Sequence, residues 1–188
     1  ARQRGTPFSP DDPDLAGQLL ETEAIFLGPG SPTYAVRQLQ NSLVWAHLVA
    51  RQRLGSAVVF ASAATVAAGK YALPVYEIYK SGSELHWQPG LDFFAPYGLS
   101  PVFIPHWNNT EGGAELDTSH CFVGAARFER LRALLAEDLT IVGIDEHSAL
   151  VVDFAAECCR VMGRGAVTLL ASEGETRFGS GHNFPLNR

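Results

Sequence analysis

Several features that would assign a function outright are missing from this sequence. Its 188 residues include three cysteines, two of them adjacent at Cys158 and Cys159, which cannot build a disulfide framework. No Cys-x-x-Cys or His-Glu-x-x-His spacing marks a zinc site. No apolar run approaches the roughly 20 residues a membrane-spanning helix needs, and no signal-peptide pattern opens the chain. Positive charge is sparse: 14 Lys and Arg against 20 Asp and Glu leave a net charge of −6. That balance argues against nucleic acid or an anionic membrane as the main partner, because both select a basic face. No internal repeat, long linker or shift in composition divides the chain.

What is present describes a globular chain. Apolar residues make up 46%, and the 18 glycines and 11 prolines are spread along the sequence, so a real core is expected. The length suits one domain. The expectation is a soluble, cytoplasmic α/β domain. The chain opens at Ala1 without an initiator Met, and Arg2 to Pro13 is polar and Pro-rich, so a removed leader or a fragment of a longer chain is expected.

Ala24-Ile-Phe-Leu27, ended by Gly28-Pro-Gly30, reads as a buried parallel strand. Ser31-Pro32 then opens a helix in which Val36, Leu39, Leu43 and Val44 recur at helical spacing, with Arg51 and Arg53 near its end. Ala57-Val-Val-Phe60 is a second buried strand, so residues 24–60 form a strand-helix-strand crossover. Residues 71–97, rich in aromatics and proline, either cover the end of the sheet or form functional surface. Pro101–Ile104 is the next strand, a helix is expected over Phe122–Ala136, and Ile141–Ile144 is a further strand. Short strands at 149–153, 160–162 and 166–170 follow, with a turn near Gly163. The pattern predicts a three-layer αβα domain with a mostly parallel central sheet and an antiparallel edge hairpin near the C-terminus.

Three strand ends carry polar side chains: Ser62 after 57–60, His106 after 101–104, and Asp145 with Glu146 after 141–144. Ligands bind outside the carboxyl ends of the strands in such sheets. A serine, an imidazole to take its proton and a carboxylate to orient the imidazole form the set that nucleophilic acyl transfer requires. Ser62 sits between small residues, as a nucleophile elbow demands, although a serine before a helix is often only a cap. The N–H of Ala63 and the Gly28–Gly30 loop are candidate oxyanion donors. His106, Asp145 and His147 lack the spacing of a metal site, and nothing local marks Cys121 as a nucleophile. A Ser-His-acid mechanism needs no metal or organic cofactor, so none is expected.

Ile25-Phe-Leu-Gly-Pro-Gly-Ser-Pro32, the strand into Ser62, Pro105-His106, Gly143-Ile-Asp-Glu146 and Ala149-Leu-Val-Val152 resemble, in order, the S51 serine peptidases. That family includes aspartyl dipeptidase (peptidase E) and cyanophycinase, and the resemblance extends from about residue 24 to about residue 170. It implies a flavodoxin-like, class I glutamine amidotransferase-like fold and hydrolysis of aspartyl peptides. It implies Ser62 as nucleophile, His106 as base, Glu146 or Asp145 as the acid, and Gly30 and Ala63 as oxyanion donors. Where the family elbow reads Gly-x-Ser-Ala-Gly-Ala, this chain has Phe60-Ala-Ser62-Ala-Ala-Thr65, so the phenylalanine must find room on the strand. Arginines that follow the histidine in cyanophycinases are replaced by Trp107-Asn-Asn-Thr-Glu-Gly-Gly113. Only residues 1–23 remain to supply the family's first strand and helix, so a single domain with that unit lost or shortened is expected.

Two functions follow from this reading. One is a serine peptidase or amidase acting on a small peptide or amide, with Trp107, Asn108 and Asn109 beside the base as substrate contacts. The other is an inactive amidotransferase-like domain that binds a ligand or partner, with Ser62 turned from His106. The reading allows a homodimer.

Overall fold

Proline and polar residues dominate the start of the chain, where a short helix, α1 (Pro13–Gly17), is capped by the Asp12 carboxylate. The computed structural model describes residues 3–186. Strand β1 (Ala24–Leu27) pairs in parallel with β2 (Ala57–Phe60), Leu27 opposite Phe60. The helical connection between them is broken in two, α2 (Pro32–Leu39) and α3 (Leu43–Arg53), where one helix was expected. Asn41 takes a left-handed φ of 57°, and Ser42 then caps α3 by accepting from the Trp45 N–H. The inner side chains of the strand pair, Ile25, Leu27, Val58 and Phe60, pack with Leu48 of α3. The outer face is open, with the paired Phe26 and Val59 exposed at 66% and 50%. Burial on both faces, expected for parallel strands, is therefore not met here.

After β2 comes α4 (Ala63–Ala68), made of small residues and buried along most of its length. The aromatic segment folds as an antiparallel pair, β3 (Tyr71–Ala72) and β4 (Gln88–Pro89), around α5 (Val75–Tyr79). Its later part sends Phe93 and Phe94 into the core. Next come β5 (Val102–Pro105), α6 (Ala125–Arg132) and β6 (Ile141–Ile144). Helix α6 is shorter than the expected 122–136. His120, Cys121, Phe122 and Gly124 all have positive φ, which no helix accommodates, and Leu134 is exposed. The chain ends with β7 (Ser148–Asp153), β8 (Cys158–Gly163), β9 (Ala166–Ala171), β10 (Gly174–Gly179) and β11 (Asn183–Pro185). No helix among the described residues is long and apolar enough to cross a membrane.

The longest sheet is mixed, not mostly parallel. Its order is β10-β9-β6-β5, with β5 and β6 parallel and β9 antiparallel to β6. The two-residue turn between β9 and β10 can only reverse the chain, which gives the antiparallel hairpin at the sheet edge. One face of this sheet turns Val102, Ile104, Ile141 and Leu170 toward Val66 of α4 and Phe128 and Leu131 of α6. The other turns Phe103, Val142 and Val167 toward Val161 of β8, with Leu150 and Val152 of β7 alongside. That second cover is the antiparallel sheet β11-β8-β7 where a helical layer was expected. Alternating burial along β7 made it legible as a strand but did not say on which sheet it would lie.

Candidate active site

The parallel register of β1 and β2 continues past their ends, where the Ala61 N–H donates to the Leu27 carbonyl at 2.9 Å. The chain then turns sharply. Ser62 has φ 52° and ψ −110°, and α4 begins at the next residue. Such a conformation is costly for a residue with a side chain and persists only where its surroundings hold it. Here Thr65 donates its hydroxyl to the Phe60 carbonyl at 2.9 Å, and Ala63 and Ala64 are small enough to be buried against the core. Phe60 finds its room below the turn, edge-on to Phe93 at 4.9 Å and tilted against Trp45 at 6.4 Å. As the first residue of α4, Ala63 has no acceptor for its N–H within the helix. The Gly28–Gly30 loop follows β1 directly beside this turn, and a Cβ on Gly30 would meet nothing within 4 Å.

His106 leaves β5 with φ 55°. Its carbonyl accepts from the N–H groups of Asn109 and Cys121, both at 3.2 Å, while the Trp107 N–H donates to the Ile144 carbonyl of the neighbouring strand. These bonds fix the backbone that carries the ring. Ser62 Oγ lies 2.9 Å from His106 Nε2, and His106 Nδ1 lies 3.0 Å from Glu146 Oε1. With Glu146 ionised, Nδ1 carries the proton and Nε2 is left to accept from the serine hydroxyl. His106 and Glu146 are 28% and 29% exposed at their side chains, so the relay is open to solvent on one side. The Phe122 ring closes another, 5.3 Å from the imidazole. Hydrogen bonds from Asn109 and then His106 hold the Glu146 carboxyl below the ordinary carboxylate range.

Of the other expected site residues, Asp145 and Trp107 are engaged away from the relay and Asn108 and Asn109 bond to Glu146. Asp145 is buried, and its Oδ2 accepts from the Ala166 N–H at 2.9 Å and from Arg177 at 2.8 Å. Trp107 packs its ring on Gly143 and meets His120 and Phe128 edge-on at 4.2 and 5.1 Å. Asn108 Oδ1 accepts from the Glu146 N–H at 2.8 Å, and Asn109 Nδ2 donates to Glu146 Oε1 at 2.7 Å. Cys121 is buried, and burial pushes its thiol up to about 12, so it is no nucleophile at neutral pH.

Residues 117–124 support the imidazole and were not anticipated as part of the site. Asp117 accepts from the N–H and hydroxyl of Ser119 and from the Ala125 N–H. The Asp-x-Ser turn and Gly124 are the sequence marks that the helix starts at 125 rather than 122.

Together these features define a mixed α/β protein with a serine, a histidine and a glutamate in hydrogen-bonded sequence at its strand ends. Its fold matches that of a peptidase from an acI-B1 Actinobacterium, with a TM-score of 0.73 and 19% sequence identity, over 94% of this chain and 64% of that chain. A second solved structure, of a candidate peptidase E protein from Listeria monocytogenes EGD-e, gives a TM-score of 0.46 and 12% identity, over 88% of this chain and 64% of that one. The chain thus shares the fold of the Actinobacterium protein and spans less than two thirds of the length of either neighbour. No family model and no curated protein matches the sequence.

Proposed function

We propose that the chain is a serine hydrolase of the S51 peptidase kind that cleaves a peptide or amide bond by acyl transfer. The observation that carries this reading is the relay of 2.9 and 3.0 Å from Ser62 through His106 to Glu146. Ser62 Oγ attacks the scissile carbonyl carbon as its proton passes to His106 Nε2. Glu146 stabilises the imidazolium through Nδ1–H. The carbonyl oxygen gains the negative charge and is received by the N–H of Ala63, with Gly30 in the adjacent loop as the second donor. When the C–N bond breaks, Nε2 returns the proton to the leaving amine. Water then repeats the cycle on the acyl-enzyme and releases the acid.

Glu146, not Asp145, is the acid in this reading, because it is the carboxylate that accepts from His106. Trp107, Asn108 and Asn109 are not assigned to substrate, since their side chains are used in packing or on Glu146. The substrate class is a small peptide or amide, and the sequence resemblance favours aspartyl peptides. The fold is read as a class I amidotransferase-like αβα architecture in which the antiparallel sheet β11-β8-β7 replaces helices over part of one face. A binding module with a silent site would leave Ser62 turned from His106, and the 2.9 Å contact weighs against it.

The test is turnover of a dipeptide panel, including Asp-Leu and a neutral control, by the wild type and by Ser62→Ala. Wild-type hydrolysis that falls by at least about a thousandfold in the variant is expected. Equal background rates across the panel from both folded proteins would overturn the reading.

A further inference from the structure

Glutamate has a long, flexible side chain, and at 29% exposure Glu146 has room to turn its carboxylate toward water. Nothing in the His106 contact alone would hold it still. Asn109, by contrast, is short, only 2% exposed and tied at both ends of its amide. Its Oδ1 accepts from the Glu111 N–H at 3.1 Å, which identifies the other end of the amide as Nδ2, and Nδ2 lies 2.7 Å from Glu146 Oε1. Asn108 Oδ1 accepts from the Glu146 N–H and pins the backbone at the same point.

We propose that Asn109 is a positioning residue that locks the Glu146 carboxylate on His106, and that it does not contact substrate. The inference rests on the hydrolase reading for its catalytic meaning but not for its geometry. Glu146 Oε1 receives two donors, His106 Nδ1–H and Asn109 Nδ2–H, which together fill its two lone pairs. A proton on Oε1 would displace one of these donors, so both favour the ionised carboxylate. An ionised, immobile Glu146 selects the Nδ1–H tautomer of His106 and leaves Nε2 aimed at Ser62 Oγ. The lowered carboxyl of Glu146, whose first cause is the Asn109 hydrogen bond, agrees with this.

The test compares the wild type with Asn109→Leu and Asn109→Asp. Leucine keeps the volume and removes both hydrogen bonds. Aspartate keeps an acceptor for the Glu111 N–H and sets a second carboxyl group against Glu146 in place of the amide donor. In both variants kcat should fall about a hundredfold, the scale of a small misplacement of a reacting group, with KM nearly unchanged. The NMR signal of the His106 Nδ1 proton, sharp in the resting wild type, should broaden or give way to mixed tautomers. A spectrum unchanged in the folded variants would overturn the proposal, whether KM rises, as for a substrate contact, or only thermal stability falls, as for a packing residue. Asn109→Asp decides the matter if Asn109→Leu does not fold. Because the spectrum is read without substrate, an inactive wild type would sink the hydrolase reading and leave this inference to be judged on the spectrum.

Discussion

Trp107 rests its six-membered ring on the backbone of Gly143, so closely that a Cβ on that glycine would come within 2.4 Å of two ring carbons. The contact joins the residue after His106 to the strand that ends in Glu146. It places the glycine of the Gly-Ile-Asp-Glu stretch by close approach, since Gly143 needs no left-handed backbone. His120 and, on α6, Phe128 meet the indole edge-on and hold it there.

Gly143→Ala should therefore cost about 1–3 kcal/mol, the usual range for an overpacked core. The added methyl points at a ring packed against His120 and Phe128, on the residue that follows His106. Turnover should fall along with stability, and chemical denaturation followed by kinetic assay of the folded fraction separates the two. A variant as stable and active as the wild type would contradict a tight Trp107–Gly143 contact.

The strand ends were legible because β1, β2, β5 and β6 are short apolar runs with a glycine, a proline or a polar residue at or within two residues of their ends. That is why Ser62, His106 and Glu146 could be named as a group that would meet at one edge of the fold. The engagement of Asn108 and Asn109 with Glu146 was not legible. It depends on the left-handed turn at His106, which directs the following loop across β6. Strands β10 and β11 were also missed. Gly174-Glu-Thr-Arg-Phe-Gly179 has no apolar run, and it becomes a strand only because β9 offers it an edge. The break at Asn41 was hidden for the opposite reason, since the apolar spacing continues unbroken across it.

Phe60 stands where the family elbow has glycine, and Phe60→Gly tests whether the ring hinders the turn or supports it. The ring lies in a cluster with Phe93 and Trp45. Removing it should cost about 2 kcal/mol, below the cost of a fully buried phenylalanine because Phe60 is half-buried. Thermal denaturation of the variant checks this. A gain in stability would mean that the ring strains the elbow.

Arg177 is 59% exposed, whereas the Asp145 side chain it pairs with is 1% exposed. The two partners should therefore respond unequally to loss of the pair. Asp145→Ala releases an arginine that can return to water and leaves mainly the Ala166 N–H without its acceptor, a loss of about 2 kcal/mol. Arg177→Ala strands a buried carboxylate and should cost more, about 3 kcal/mol or above. Removing both should be no worse than removing Arg177 alone. Urea unfolding of the three variants provides the comparison, and an Arg177→Ala protein as stable as the wild type would contradict it.

Asp117 connects acid stability to the support of His106. The Ser119 hydroxyl, followed by the Ala125 and Ser119 N–H groups, lowers its carboxyl from 3.8 to about 2. A group whose folded value is depressed stabilises the protein above its unfolded value and loses that contribution as pH falls through the folded one. The window is thus from about pH 4 down to about pH 2. Because Asp117 is exposed, solvent screening keeps the contribution small, and loss of the α6 cap in Asp117→Ala should cost about 1 kcal/mol at neutral pH. The gap in urea midpoint between wild type and variant should hold from pH 7 to pH 4 and close toward pH 2. Residues 120–122 lie between this cap and the imidazole, and the Cys121 N–H donates to the His106 carbonyl. The variant should also exchange the Cys121 amide hydrogen faster than the wild type at pH 7. A gap that stays constant down to pH 2, with unchanged exchange, would show that the Asp117 carboxylate neither caps α6 nor steadies the segment beneath His106.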